Sequence, residues 1–435
     1  MPAFALMSPR VAVLVVVLSS SAAACGSQRS ERARADAQAE PEPEPVREAP
    51  DGAAVAATDG GAATVPAAAP VETRVARSSP MTVKGAPRAR AEHRAVWTGR
   101  EVVVWGGDDA VPSESTGYSP VKAHPRGDGA RYDPAADRWT PVAGRGAPDA
   151  RTGHSAVWTG REVLVFGGRG AEGELLDDGG AYDPAADAWR ALPGRDGPSS
   201  RAQHTAVWTG RAMIVWGGRG NRAEVSDGAA YDPERDAWHP LATKGAARAR
   251  ASHAAVWTGS EMIVWGGRSG GVERQDGGRY DPASDSWRPV TNEGAPDGRG
   301  DMVAVWTGSE MVVWGGVRGG RAVARGAAYD PVADRWRPVA RRGAPPLDGV
   351  AGTWTGERMV VTGEPVGEQD ADPSPTLLVY DPTADRWSSF HVSPRLDRPL
   401  VAAGRWLLSW GGFDGTNLGA DGERIDWPIE PAPAP

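Results

Sequence analysis

One cassette of about fifty residues is written seven times between residues 93 and 412, and that repetition restricts the fold more than any other feature. It opens as His93-Arg94-Ala95-Val96-Trp97-Thr98-Gly99 and continues as Glu101-Val102-Val103-Val104-Trp105-Gly106-Gly107. A variable loop follows, then Tyr132-Asp133-Pro134 and Asp137-Arg138-Trp139. The same order returns around Trp158, Trp208, Trp257, Trp306 and Trp354, with a weaker seventh copy placed at Trp406. Steps between these tryptophans are 61, 50, 49, 49, 48 and 52 residues. The 57 Gly, 38 Pro and 19 Trp, against 4 Phe, are what a turn-rich, Trp-marked unit leaves behind when it is copied many times. A chain of 435 residues would otherwise suggest two or three domains.

Each part of the cassette reads as a strand or a turn. Val96-Trp97 and Val102 to Trp105 are β-branched and aromatic runs, suited to strands covered on both faces. Thr98-Gly99-Arg100 is a hairpin turn in which glycine supplies the positive φ. Gly106-Gly107 ends the second strand where backbones approach closely. A third strand ends at Tyr132, Asp133-Pro134 opens a turn, and a fourth strand carries Trp139. Seven such antiparallel units can abolish their open edges by closing into a ring, which predicts an all-β, seven-bladed β-propeller over residues 74–430.

The chain resembles the kelch family. The resemblance rests on the double glycine after an apolar strand and on the pairs Tyr132/Trp139, Tyr182/Trp189, Tyr231/Trp238, Tyr280/Trp287, Tyr329/Trp336 and Tyr380/Trp387. First-strand pairs fall at about 93–107, 154–168, 204–218, 253–267, 302–316, 350–363 and 402–412. Copy six has Thr362-Gly363 where the double glycine is expected, and copy seven lacks Tyr–Asp–Pro. Seven first pairs but six complete second pairs leave one outer strand missing. Residues near 74–83 are expected to supply it, with Ser78 in the place of the tryptophan, beside a third strand near Arg424-Ile425. Trp427 is the competing source.

The N-terminus reads as an address. Arg10, the apolar run Val11 to Leu18 and the small residues to Ala24 form a secretory signal, too short to span a bilayer. Ala22-Ala23-Ala24-Cys25-Gly26 resembles a bacterial lipobox, which implies lipid attachment at Cys25, although leucine is usual where Ala22 stands. An ordinary secreted protein is the other reading. Residues 25–73, with Glu40-Pro41-Glu42-Pro43-Glu44-Pro45, are expected to be a disordered Pro/Ala-rich tether.

Candidate ligand residues gather where the first hairpin begins and ends. Arg90, Arg151, Arg201, Arg250 and Arg299 each precede their tryptophan by seven residues, and are read as bonding loop carbonyls within the repeat. Arg169, Arg219, Arg268 and, one residue later, Arg318 follow the glycines and suggest an electropositive funnel for a carboxylate, sulfated glycan or acidic peptide. The loop from Asp108 to Ala130 adds Asp109, Glu114, Tyr118, Lys122, His124 and Asp128, and the acidic loop Glu364 to Pro375 projects to the same side. His93, His154, His204 and His253 share one position, which Met302, Val350 and Ala402 fill in the later copies, so packing is expected there and no metal.

Function is less legible. The single cysteine, Cys25, lies outside the ring and excludes the cysteine–tyrosine copper site of galactose-oxidase-like relatives. A net charge of −8 argues against nucleic acid. The expectation is a monomeric, lipid-anchored extracytoplasmic module of the bacterial envelope, without cofactor, binding a protein, peptide or glycan. The alternative is a carbohydrate-modifying enzyme of the kelch-type sialic-acid epimerase kind, acting at the channel mouth.

Overall fold

The computed structural model describes residues 74–75, 77–110, 123–366, 376–391, 399–412 and 417–428, all β-strands and turns. Cys25, Glu114, Tyr118 and Lys122, with the expected signal and tether, lie outside them. Seven blades, each with four antiparallel strands, stand in chain order. Blade 1 is built from Arg94–Trp97, Val102–Trp105, Gly129–Asp133 and Arg138–Pro141. Innermost strands Ser155–Trp158, Thr205–Trp208, Ala254–Trp257, Val303–Trp306, Leu347–Trp354 and Leu400–Ala403 open blades 2 to 7. Each touches the innermost strand of the next blade, and that of blade 7 touches that of blade 1. The ring is closed.

Its missing outer strand comes from the N-terminal side. Ser78–Pro80 pairs antiparallel with Gly422–Asp426, setting Ser78 opposite Ile425 as Trp139 stands opposite Tyr132 in blade 1. Just before it, Arg74–Val75 pairs in parallel with Phe390 and His391 of blade 6. The segment therefore crosses from one blade to the next. It does so at a particular interface: elsewhere an aromatic residue ending the second strand packs on the outer-strand tryptophan of the following blade. These pairs are Trp105–Trp189, Phe166–Trp238, Trp216–Trp287, Trp265–Trp336, Trp314–Trp387 and Trp410–Trp139, with centroids 4.3–5.4 Å apart. Between blades 6 and 7 the two places hold Thr362 and Ser78, and aliphatic groups such as Leu377, Leu407 and Ile425 fill the core.

Two register details differ from the expected alignment. Ala402 faces Leu407 in blade 7 as Trp97 faces Val102 in blade 1, so Ala402 is the true counterpart of the repeat tryptophan. Trp406 matches Glu101, four residues on; Gly404-Arg405 repeats the Gly99-Arg100 turn, and the last step becomes 402 − 354 = 48 residues. Alignment on Trp406 fails because strand identity follows the turn, not the indole. Likewise Thr362 faces Ala351 and occupies the place of Trp105, which leaves Gly363-Glu364 as the degenerate double glycine.

The polar residues of the cassette knit blades together. Tyr132, Tyr182, Tyr231, Tyr280, Tyr329 and Tyr380 donate their hydroxyls to Asp137, Asp187, Asp236, Asp285, Asp334 and Asp385 at 2.5–2.7 Å. Each aspartate has φ between 44° and 50°, a left-handed turn position that Asp tolerates because its side chain bonds locally. The same Oδ1 reaches across the interface: Asp137 accepts from Thr82 N, Asp285 from Ala242 N and Asp385 from Ala340 N. Asp236 would face Pro193, which has no N–H, and takes Arg190 Nη1 instead. Asp285→Ala is expected to cost about 2–4 kcal/mol, from two lost bonds and an alanine forced to positive φ. Asp285→Asn, which keeps an acceptor and tolerates that φ, should cost less than half as much in urea unfolding.

Candidate ligand-binding face

Strand direction sorts the loops. In blades 1 to 5 the first turn and the Asp–Pro turn lie at one end; the loop after the double glycine and the connector to the next blade lie at the other. The double glycine builds the rim of this second face. Gly106 and Gly107 have φ of 72° and 95°, and a Cβ on them would stand 2.5 Å from His154 Cε1 and 2.5 Å from the Ala91 carbonyl. Closing the ring around its axis needs that approach.

The first arginine set is structural. Arg90, Arg151, Arg201, Arg250 and Arg299 are fully buried, and each donates from Nη1 to the carbonyl of the first glycine, as Arg151 does to Gly167. Nη1 also reaches the carbonyl of the residue just before the third strand, as in Arg201 to Asp227 (3.0 Å). Loop and connector are thus tied by one side chain.

The second set does not form a free cationic ring. Arg169, Arg219 and Arg268 occupy one position, each bridging by backbone to the preceding connector, but Asp108 holds that position in blade 1 and Val317 in blade 5. Arg318 is one residue out of phase and projects from the hairpin Val317–Arg318/Arg321–Ala322. Arg169 Nη1 donates to the Gly173 carbonyl at 2.7 Å within its own loop. Arg219 lies 3.2 Å from Glu224, Arg268 2.9 Å from Asp301 and Arg318 2.8 Å from Asp297. In blade 1, Asp109 meets Arg126 at 3.3 Å and the exposed His124 at 3.9 Å. The face is therefore a mosaic of local ion pairs.

Neighbouring loops interlock across it. Glu224 Oε2 accepts from Gly270 N of the next loop (3.2 Å), and Glu273 Oε1 from Gly319 N of the one after (3.0 Å). Sequence reading missed this device because the partners are 46 residues apart.

The histidines pack beneath. His154 and His253 lie edge-on to Trp105 and Trp216 of the preceding blades, and His93 to Trp410. His204 Nε2 bonds Ser155 Oγ and His253 Nε2 bonds Thr205 Oγ1, both at 2.8 Å, linking adjacent innermost strands. Burial holds His154 and His204 well below the usual imidazole range and His253 at about 3. Neutral imidazoles between blades serve packing. Among the described residues no three His, Cys, Asp or Glu groups gather as metal ligands.

Seven four-stranded antiparallel blades, each with a glycine-closed hairpin and most with a Tyr–Trp pair, define a kelch-type β-propeller. The sequence matches the KLHDC2/KLHL20/DRC7 Kelch-repeats domain over residues 92–294 and again over 246–408, and the chain belongs to that family. No curated protein matches it. Propellers of this kind commonly serve as protein-interaction scaffolds.

Proposed function

We propose that the propeller is a lipid-anchored extracytoplasmic module whose loop face captures a protein, peptide or glycan. One observation carries this reading: the two ends of the blades are built to different rules. At the turn end blades 1 to 6 repeat the same bonds, Thr98 Oγ1 accepting from Glu101 N and Asp133 Oδ1 from Ala135 N in blade 1, with like pairs through Thr355 and Asp381 in blade 6. At the loop end the segments 106–128, 167–178, 217–227, 266–276 and 315–325 are 23, 12, 11, 11 and 11 residues long and vary in charge, while the same arginine bond to the first glycine recurs in each. Variable loops on a rigid frame are where binding residues concentrate. Anchoring rests on Cys25 behind Ala22-Ala23-Ala24, and the Pro-rich stretch after it has the reach of a spacer.

Two measurements test the reading. A clickable fatty acid should label the full-length chain expressed in a bacterium and should not label Cys25→Ser. A photo-cross-linking side chain placed at Arg219 or Arg169 should capture partners in intact cells, whereas one at Arg100 or Arg161, in the uniform turns, should not. Labelling of Cys25→Ser, or cross-links from the turn end only, would refute it.

A further inference from the structure

The buried arginine that opens blades 1 to 5 is neutralised in four of them and not in the fifth. Arg151, Arg201 and Arg250 aim Nη2 at Asp178, Asp227 and Asp276 at 3.0, 2.8 and 3.0 Å, and Arg90 Nη1 lies 3.1 Å from Asp128. The corresponding residue in blade 5 is Arg325. Its carbonyl still accepts from Arg299 Nη1 (2.6 Å), as the aspartate carbonyls do elsewhere, but its side chain brings a cation in place of an anion. Arg299 is fully buried and its Nη2, the atom that meets aspartate in blades 2–4, has no partner. Burial, and then the charge of Arg325, draw its pKa down to about 10. A buried guanidinium nitrogen left without an acceptor is costly, although Nε and Nη1 of Arg299 are satisfied by carbonyls.

The surroundings are cationic and held in place. Arg318 Nη1 and Arg325 Nη2 both converge on Asp297 Oδ2, at 2.8 and 2.5 Å, and the Asp297 carbonyl accepts from Arg299 Nε. Three guanidinium groups against one carboxylate leave a local charge of 3 − 1 = +2. Arg318 sits on a hairpin whose tip is fixed by Glu273 through Gly319 N, so its side chain starts from an ordered loop. Planar guanidinium groups suit the two oxygens of a carboxylate.

We propose that this end of blade 5 binds a ligand carboxylate, which takes the place an aspartate fills in blades 2–4 and completes the pair that Arg299 lacks. The site deepens the reading of the loop face as the binding face by naming the chemistry recognised there. Its test is separate from that of the broader reading, because it uses purified protein and defined probes: loss of cross-linking with acetate binding intact would count against the face as a partner surface, not against the site.

The propeller is titrated with sodium acetate against sodium chloride at matched ionic strength, by calorimetry and thermal unfolding, and with a blocked Glu-Glu dipeptide. Acetate is expected to raise the unfolding temperature where chloride does not. Arg325→Asp should supply the carboxylate internally, unfold at a higher temperature than wild type in chloride, and lose the acetate-specific shift. Arg318→Ala should weaken acetate binding by about tenfold, the worth of one hydrogen bond between charged groups. Tighter binding of the dipeptide assigns the site to an acidic peptide; equal affinity assigns it to a small carboxylic acid. An acetate effect no different from chloride, or one undiminished in Arg325→Asp, overturns the proposal. Should Arg325→Asp fail to fold, unaltered acetate affinity in Arg318→Ala does so alone.

Discussion

A chain cut to begin at Arg88 is expected to unfold about 10 °C or more below one beginning at Val71, and with lower cooperativity. The deleted residues include the whole outer strand of blade 7, Ser78–Pro80, and the buried Met81 behind it. They also include Thr82, whose amide and carbonyl bind Asp137 and Trp139 of blade 1. Burying a methionine is worth about 2–3 kcal/mol and each backbone bond about 1 kcal/mol, so the loss is on the order of 5 kcal/mol, comparable with the whole stability of many domains. It also uncovers a sheet edge and invites association. The Val71 chain keeps Arg74–Val75 on blade 6 and should melt like a longer one. Adding a peptide of residues 74–87 to the shortened protein should restore part of the lost stability. Equal melting of the two chains would mean that the ring does not depend on this strand.

Acid should destabilise the propeller well before its carboxylates titrate. His253 is held at about 3 by burial, with His154 and His204 also far below 6.5, so the folded chain keeps all three neutral. The unfolded chain binds their protons as pH falls below about 6.5, and stability is lost from there down towards the folded pKa. Each histidine contributes about 1.4 kcal/mol per pH unit, hence about 4 kcal/mol per unit for three. Above pH 7 they contribute no slope. Asp137 and Asp187, held below 3.8, lose their contribution only at lower pH. His253→Met, which copies Met302 at the same position of blade 5, should remove about a third of the slope in urea unfolding between pH 6 and 5. An unchanged slope in that variant would place the acid sensitivity elsewhere.

Much of the ring was legible before any coordinates. The outer strand from the 74–83 segment followed from counting seven first hairpins against six Tyr–Trp pairs, and the structure sets Ser78 where the tryptophan would stand. Blade 7 was harder, because Trp406 imitates the repeat tryptophan while Ala402 holds its place. A pattern match rewards the conspicuous residue, whereas pairing is fixed by the Gly404-Arg405 turn.

The candidate site divides along the same line. The two arginine sets were visible as periodic positions, and the reading of the first as scaffold agrees with its full burial. That Arg268 and Arg318 each meet a carboxylate was not visible, since Asp301 lies 33 residues from Arg268 and Asp297 lies 21 from Arg318. Nor was the consequence of Arg325, an ordinary loop residue until Arg299 is seen buried beneath it without an acid.

By itself, then, the sequence determined the strands, the turns, the number of blades and the face on which variation collects. These depend on alternation, glycine placement and repeat length, which act over a few residues or recur at a constant interval. Only the tertiary structure decided which charges cancel, which blade interface lacks its aromatic pair and which buried arginine lacks its acid. Those are properties of side chains brought together by ring closure from distant segments, and no local spacing records them.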